Sequence, residues 1–349
     1  MSSRTHHRGE VTTHGPGFGP AAYPPGTSGP GASRPGERDW SVRTDRRRRK
    51  RLRAGPAVIA WTFLAPALIL FTYFKFLPML QGLKMSFYEV RPYLGDRYVG
   101  WANYQQMTTD PNFVKAIGQT VLLAVGTTAG SIILGFGLAL LVEGPARHLW
   151  LVRSAAFLPV VTTMAVVAEV WRIMYYPDAG GVINTILGWV GVGPEPFLAS
   201  EHTALGSVML VGIWRGAPYD MMIFLAGLAG VDRNLYEAAA VDGAGTVRRF
   251  FRITLPLLTP LIFFNLVLQM INSFKAFTPA FIISGGQGGP ADSTLFYTLY
   301  LYQEGFANFR MGYASAMAWV LLVIIAAFTA GMFLTSRYWV YYADRDGPA

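Results

Sequence analysis

The sequence has 349 residues, of which 52% are hydrophobic and only 14% are charged, whereas about one quarter of the residues of soluble domains are charged. The formal net charge of +9 is compatible with nucleic-acid binding. The basic residues, however, lie mainly beside apolar blocks, where such residues set the orientation of membrane proteins. The absence of cysteine excludes disulfides, thiolate metal sites and cysteine nucleophiles.

The first 45 residues are rich in Gly, Pro, Ser and Thr and have almost no apolar periodicity. Such a segment buries too little surface to offset its ordering entropy, so we predict a disordered tail. Its histidines (His6, His7 and His14) suit metal binding or simple solvation, and we favour solvation. The basic cluster at 46–53 suits a nucleic-acid patch or a cytoplasmic membrane flank, and its position directly before an apolar block favours the flank.

Six apolar stretches are long enough to cross about 30 Å of hydrocarbon as helices. We predict spans at Ala57–Leu77, Thr120–Val142, Ser154–Trp171, Ala204–Leu228, Leu257–Ile283 and Tyr313–Leu334. The fold class is therefore an all-α, polytopic integral membrane protein with six transmembrane helices. We divide the chain into a disordered basic cytoplasmic tail (1–54), a six-helix membrane domain (55–337) with a cytoplasmic loop at 229–257, and a cytoplasmic C-terminal tail (338–349).

Lys and Arg residues concentrate on one side of these spans when the N-terminus is placed inside. This asymmetry predicts a multi-pass protein of the bacterial-type plasma (inner) membrane with both termini in the cytoplasm. The run from Gly285 to Pro290 then lies outside, and it lacks the Gly-Lys-Ser/Thr ending of a phosphate-binding loop, so we interpret it as a turn.

Enzyme motifs are absent from the sequence. There is no Walker A sequence, no HExxH, no GxSxG and no close-set cluster of carboxylates. We therefore predict no catalytic residues, no metal site and no cofactor bound by this chain.

The loop between the fourth and fifth spans carries a helical hairpin. Leu235–Val241 has high helix propensity and small side chains, and Gly243 and Gly245 permit the backbone reversal that follows. A second helix alternates apolar and basic residues, and Pro256 marks the entry to the next span. An ordinary cytoplasmic hairpin and a docking surface for another protein both fit these features.

The spacing Glu-Ala-Ala, three residues, Gly, nine residues, Ile-x-Leu-Pro in this loop resembles the EAA motif of permease subunits in binding-protein-dependent ABC importers. The resemblance implies that this loop docks a separate ATPase, which would bind the ATP and Mg. It carries over ATPase-coupling roles to Glu237, Ala238, Ala239, Asp242, Gly243, Ile253, Leu255 and Pro256.

Other segments extend the resemblance over most of residues 57–336. They include Val99–Tyr104, Phe157–Pro159, Trp214-Arg215, Phe224–Leu228 and Gly312–Ala316. These patterns are most similar to the carbohydrate-uptake type-1 group, in the class related to the maltose permease. The resemblance implies a type I ABC importer permease fold, a sugar or sugar-like substrate, a second permease subunit, two ATPase subunits and an extracytoplasmic solute-binding protein, with no role for nucleic acid.

Polar residues in the fifth span indicate a route for a hydrophilic solute. Asn265, Gln269 and Asn272 recur at i, i+4 and i+7 and share one helical face. Their amides suit sugar hydroxyls, although hydrogen bonds between helices are the competing interpretation. We add Phe274, Arg215 and Tyr219 as candidates for the substrate path, with core packing as the alternative for the phenylalanine.

Charged and small residues in the spans predict further contacts. Arg215 and Asp220 are five residues apart, a poor spacing for a helical ion pair, so we expect them to have different partners. Lys275 is close enough to the outer end to snorkel. The small residues of Gly126-x-x-x-Gly130 and Ser131-x-x-x-Gly135 predict a tight helix contact, either within the chain or with another subunit.

Two other functions are alternatives for a multi-pass membrane protein of this kind. An ion- or proton-coupled secondary transporter would favour ionisable residues or broken helices near the midplane, and these are sparse in the sequence. A membrane scaffold without transport activity would not require the polar face of the fifth span.

Overall fold

A computed structural model describes residues 54–91, 93–144 and 146–341. These residues are mostly helical, and their strands are limited to one antiparallel pair, Tyr88–Glu89 (β1) and Arg97–Tyr98 (β2). The predicted all-α class is therefore confirmed. The first 45 residues, predicted as a disordered tail, their histidines and the whole basic cluster at 46–53 lie outside the described residues, as does most of the predicted C-terminal tail.

The chain divides into two units, Met1–Ile69 and Leu70–Ala349. Of the first unit, the structure describes residues 54–69, which are helical. All packing described below lies within the second unit.

The first seven helices that the structure describes, up to Trp189, are α1 (Ala54–Phe71), α2 (Leu77–Met85), α3 (Ala102–Thr109), α4 (Pro111–Leu141), α5 (Arg147–Val161), α6 (Met164–Met174) and α7 (Val182–Trp189). The remaining helices are α8 (Ala204–Ala229), α9 (Arg233–Val241), α10 (Thr246–Arg249), α11 (Leu255–Phe274), α12 (Thr278–Ile283), α13 (Tyr297–Tyr302) and α14 (Met311–Trp339). Two π-helical turns, Thr72–Phe76 and Phe250–Thr254, join neighbouring helices without ending the helical path, and a third, Gln303–Ala307, extends α13 at its C-terminal end.

Five helical segments are long and apolar enough to cross a membrane, and a bent pair of helices makes a sixth. The five are Ala60–Met85, Pro111–Leu141, Ala204–Ala229, Thr246–Phe274 and Met311–Trp339. Every predicted span overlaps one of these segments, because length and apolarity are local properties of the chain.

The third span is broken, so its prediction as one straight helix was wrong. The segments His148–Val161 and Met164–Met174 meet at an angle of 98°, and Thr162 and Thr163 between them are extended. Pro159 lies one turn before the break, but its missing N–H and its ring act on the carbonyl of Ala155 in the preceding turn, which stays helical.

The fifth span was predicted at Leu257–Ile283, and both limits were wrong. The helix begins at Thr246 and ends at Phe274. It does not continue into α12 because Pro279 has no N–H for a helical bond to the carbonyl of Lys275. The predicted second helix of the cytoplasmic hairpin is thus the first part of the fifth span itself.

Helices α4 and α8 form the most extensive helix–helix contact within the described part of the second unit. A Cβ atom added to Gly126 or Gly130 would collide with Met209 or Ile213 of α8, and one added to Gly135 would collide with the backbone of α8. Of the two alternatives for these small residues, the structure therefore shows a contact within the chain.

The segments outside the spans group at two ends of the helices. At one end, which we call the Asp110 end, the Asn103 amide donates to the Ser86 and Tyr88 carbonyls, and Asp110 joins α4 to α13 and α14. The other end, the hairpin end, carries α9 and α10, and there the N–H of Tyr341 donates to Thr259.

Candidate functional site

A cleft of about 220 Å³, with both apolar and polar side chains in its wall, lies among α4, α6, α8 and α11. It is lined by Leu123, Thr127, Ser131, Met164, Val208, Gly212, Arg215, Gly216, Gln269, Asn272, Ser273, Ala276 and Pro279. Val208 and Pro279 lie toward the Asp110 end, whereas Ser131 and Arg215 lie near the middle of their helices. The cleft therefore reaches from the Asp110 end to the middle of the spans.

A buried hydrogen-bond network supports the inner part of this cleft. The Ser131 hydroxyl donates to Asp220 Oδ2 at 2.7 Å, and the Gln269 amide nitrogen lies 3.1 Å from both carboxylate oxygens of Asp220. Asp220 itself is completely buried. Because three helices contribute to this network, Gln269 is held in one orientation at the cleft wall.

Arg215 is the charged residue of the cleft lining. Its Nε is buried without a hydrogen-bond partner, and within residues 54–91, 93–144 and 146–341 the side chain forms no salt bridge. An arginine at mid-membrane costs roughly 2.5–3.5 kcal/mol on insertion scales, so its position beside a polar cleft reduces a real energetic penalty. The structure also gives Asp220 partners other than Arg215, as the spacing predicted.

The predicted face of three amides is divided between two environments. Gln269 and Asn272 line the cleft, whereas Asn265 is completely buried outside the lining and neither atom of its amide has a partner. Phe274 is buried with its ring 5.1 Å from that of Phe328, which is core packing. Tyr219 is 44% exposed and lies outside the cleft lining.

Three hydroxyl-bearing residues of the cleft were not predicted as part of the path: Thr127, Ser131 and Ser273. The hydroxyls of Thr127 and Ser273 lie 3.2 Å apart and connect α4 to α11. Ser131 belongs to the small-residue stripe of the second span, so a signal was present in the sequence. That signal indicated close packing of helices. The same helical face also borders the cleft, where the Ser131 hydroxyl contributes to the wall.

The helix α9 presents the first half of the predicted coupling motif. Asp232 caps its start by accepting from the N–H of Asn234 at 2.9 Å. Glu237, Ala238 and Asp242 are exposed and Ala239 is half-buried. This part of the motif thus lies on an accessible helical surface of small and acidic residues.

The turn after α9 depends on one of its two glycines. Gly243 has a φ of +75°, a left-handed conformation that glycine adopts without strain. Gly245 has a φ of −67° and therefore does not adopt a left-handed conformation. The N–H of Ala244 donates back to the Ala239 carbonyl at 2.9 Å, which closes the turn.

The second half of the motif lies on the helix that continues into the fifth span. Ile253, Leu255 and Pro256 are half-buried. The hydroxyls of Tyr236 and Thr254 lie 2.8 Å apart and join the two arms of the hairpin. The Phe250 ring also packs against Phe136 of α4, with centroids 5.7 Å apart. These contacts attach α9 to the first turns of the fifth span.

At the Asp110 end, one carboxylate connects three helices. Asp110 Oδ1 accepts from the N–H groups of Asn112 and Phe113 at the start of α4, and Oδ2 accepts from the hydroxyls of Tyr300 and Tyr313. Burial alone would raise the pKa of Asp110, but these hydrogen bonds outweigh it and hold the pKa below its ordinary value.

A second buried carboxylate lies close to this network. Glu304 accepts from Arg310 at 2.7 Å and from the Asn308 amide at 3.0 Å, and the Arg310 guanidinium lies over the Tyr313 ring. The part of the chain that the structure describes contains no group of three or more His, Asp or Glu residues arranged to hold a metal ion.

The sequence matches, over residues 63–341, the family described as "Binding-protein-dependent transport system inner membrane component". The chain belongs to this family. The permease resemblance predicted from the EAA spacing is therefore confirmed, together with the multi-pass membrane character of the chain.

Individual relatives agree with the family. The permease is 40% identical to the probable ABC transporter permease YesP of Bacillus subtilis (strain 168), over 82% of this chain and 93% of the relative. It is 31% identical to the lactose transport system permease LacF of Rhizobium radiobacter, over 80% of this chain and 94% of the relative. A solved bacterial ABC transporter involved in alginate import matches its fold with a TM-score of 0.72 at 24% identity, over 83% of this chain and 98% of that one.

Proposed function

We propose that this permease is the transmembrane subunit of an ATP-driven ABC importer and forms half of the path for a sugar or sugar-like solute. The cleft supports a hydrophilic solute, because amides and hydroxyls line it and both groups donate and accept hydrogen bonds. A relative named for lactose transport supports the substrate class. The chain itself is not an enzyme in this proposal.

A separate ATPase subunit supplies the energy and docks on the hairpin. The observation that carries this step is the unbroken helix from Thr246 to Phe274. It begins beside Gly245 in the hairpin and holds Gln269 and Asn272 at the cleft, about 36 Å away at a rise of about 1.5 Å per residue. A displacement of the hairpin is thus transmitted to the cleft wall along one continuous helical segment, which contains the π turn Phe250–Thr254 and Pro260.

In this proposal ATP binding closes the ATPases, tilts the hairpin and switches the cleft from outward to inward access. Such a switch requires each state to have contacts that the other lacks. The exposed residues Glu237, Ala238, Asp242 and Gly243 and the half-buried Ala239 provide the docking surface, while Ile253, Leu255 and Pro256 brace the helix behind it. The complete transporter contains a second permease subunit, two ATPase subunits and an extracytoplasmic solute-binding protein.

The proposed orientation places the hairpin end in the cytoplasm and the Asp110 end outside the inner membrane, with both termini cytoplasmic. Residues 1–54 and 338–349 are then cytoplasmic tails, and residues 55–337 form the permease domain. Cysteine labelling from each side of sealed vesicles tests this orientation, since the native chain contains no cysteine.

Reconstitution tests the function as a whole. The permease is assembled in proteoliposomes with its companion permease, ATPase and binding protein, and uptake of labelled sugars is measured with and without ATP. We expect uptake that requires ATP and the binding protein. Uptake that requires an ion gradient and no ATP would instead establish the rival function, an ion- or proton-coupled secondary transporter.

Charge reversal at the hairpin tests the docking site. Glu237→Arg places a bulky cation on the exposed face of α9, so we expect the ATPase to be lost from the purified complex while membrane insertion is retained. Glu201→Arg is the matched control, because Glu201 is also exposed but follows α7 in the segment before α8. Normal recovery of the ATPase with Glu237→Arg would show that the docking site lies elsewhere.

A further inference from the structure

Arg215 occupies a position where an arginine pairs with an anion or faces water. It lies near the middle of α8, a membrane-spanning helix, and lines the polar cleft. Its Nε is buried and has no hydrogen-bond partner. Charged groups inside membranes pair with an opposite charge or face water. The group that interacts with the Arg215 guanidinium therefore determines which solutes the cleft accepts.

The nearest acidic residue along the helix does not serve this purpose. Asp220 is five residues from Arg215, which turns it roughly 140° around the helix axis. Its carboxylate already accepts hydrogen bonds from Ser131 and Gln269. No other acidic residue lines the cleft in the part of the chain that the structure describes. The charged side chain that faces the cleft is therefore Arg215, while the Asp220 carboxylate lies behind the wall and is bonded to two of its residues.

The other groups of the lining are neutral and suit hydroxyls. Gln269 and Asn272 contribute amides, and Thr127, Ser131 and Ser273 contribute hydroxyls, all in the same cleft as Arg215. A guanidinium is also the side chain that best matches a carboxylate, sulfonate or phosphate, because its planar donors bind two oxygens at once. The cleft thus combines a site for one anionic group with a surrounding surface for hydroxyls.

We propose that the solute carried by this permease is an acidic sugar or sugar-like compound, and that Arg215 binds its anionic group during passage. This inference rests on the proposed importer function and adds the charge of the substrate to it. A carboxylate, a sulfonate and a phosphate share the required chemistry. A carboxylate from the companion subunit that neutralises Arg215 instead is the outcome that would refute the inference.

Matched pairs of solutes test the charge preference. The complete reconstituted transporter is supplied with digalacturonate and galactobiose, with sulfoquinovosyl glycerol and glucosyl glycerol, and with glycerol phosphate and glycerol. ATP-dependent uptake is measured for each member. We expect the wild type to carry the anionic member of at least one pair at least about tenfold faster than its neutral counterpart, and the preferred pair identifies the anionic group.

Variants of Arg215 then assign this preference to the permease. Arg215→Gln removes the charge, and we expect the ratio of anionic to neutral uptake to fall by at least about tenfold, the loss typical of truncating one partner of a desolvated charge pair. Arg215→Lys retains the charge and restores part of the ratio. Arg172→Gln is the matched control, because Arg172 is half exposed beside Glu169 and does not line the cleft. The solute-binding protein is the same in every assay, so a changed ratio arises in the permease.

Each outcome has one meaning. A wild type that carries only neutral members, or an Arg215→Gln variant with an unchanged ratio, overturns the acidic substrate while the importer function stands. An Arg215→Gln variant that loses both members of a pair equally, or that no longer assembles with the companion subunit while Arg215→Lys does, assigns Arg215 to the subunit contact and also overturns it. No ATP-dependent uptake of any compound by the wild type would refute the proposed function itself.

Discussion

The two ends of this permease use their acidic residues in opposite ways. At the Asp110 end, one carboxylate accepts four hydrogen bonds and joins α4 to α13 and α14. At the hairpin end, Glu237 and Asp242 are exposed and form no salt bridge with any described residue. The first carboxylate stabilises the permease internally, whereas the second pair leaves its charge available to another chain.

The Asp110 end is also joined to the rest of the permease by more interactions than the hairpin end is. Three helices converge on Asp110, and the neighbouring pair of Glu304 and Arg310 is also satisfied internally. The α9 helix is joined to the span behind it by the Tyr236–Thr254 hydrogen bond and a single closed turn. Changes at the Asp110 end should therefore affect the stability of the whole permease, and changes in the hairpin should affect mainly that segment.

The largest effect is expected from Asp110→Ala. It removes the cap of α4, which is worth about 1 kcal/mol, and leaves the buried hydroxyls of Tyr300 and Tyr313 without an acceptor, at about 1–3 kcal/mol each. We expect the free energy of unfolding in detergent, measured by denaturant titration, to fall by about 3–5 kcal/mol. Asp96→Ala is the control, since Asp96 is exposed and accepts one bond from the Arg91 backbone. Equal losses in both variants would contradict a special role for Asp110.

A smaller effect is expected from pH. Because the pKa of Asp110 is lowered in the folded permease, its ionised form stabilises the fold fully above its unfolded pKa of about 3.9, and this contribution is lost as the pH falls through the lower folded value. We expect the difference in unfolding free energy between wild type and Asp110→Asn to shrink across this range. A difference that stays constant from neutral pH to below the folded pKa would show that Asp110 does not titrate as described.

The smallest effect is expected in the hairpin. Gly243→Ala forces a Cβ-bearing residue into a left-handed conformation, which costs about 1 kcal/mol, although its Cβ would meet no other atom within 4 Å. Gly245→Ala, at a φ of −67°, is the matched control. We expect the exchange protection of the Ala244 amide to fall about fivefold in Gly243→Ala alone, with global unfolding unchanged. A similar fall in both variants would contradict the role of the positive φ.

The hairpin also shows how far its local sequence was informative. The helix of Glu237 and the turn at Gly243 were predicted, because helix propensity and glycine conformation act over a few residues. The conformation of Gly245 and the start of the fifth span were not predicted correctly. The helix continues from Arg249 past Thr254 through a π turn, and no residue pattern in the sequence indicated that turn. The coupling role came only from the family resemblance.

The hydrogen bonds of Asp110 could not be predicted from the sequence. Asp110 and Tyr313 are separated by 203 residues, and only Tyr313 belongs to a segment that resembles the family. Their contact exists because α4 and α14 begin at the same end of the permease. The same reason explains why the contact between Ser131 and Asp220, which are 89 residues apart, was not predicted: Ser131 was assigned to a helix contact, and Asp220 was expected to have a partner other than Arg215.

By itself, the sequence determined that this chain is a multi-pass membrane protein of the permease family, because apolar length, basic flanks and motif spacing are properties of consecutive residues. The tertiary structure decided which glycines are internal contacts, where the third span bends, and which polar side chains share a cleft. Those outcomes depend on the packing of distant helices, where Gln269 donates to Asp220, Asn265 is buried outside the cleft, and Arg215 lines the cleft.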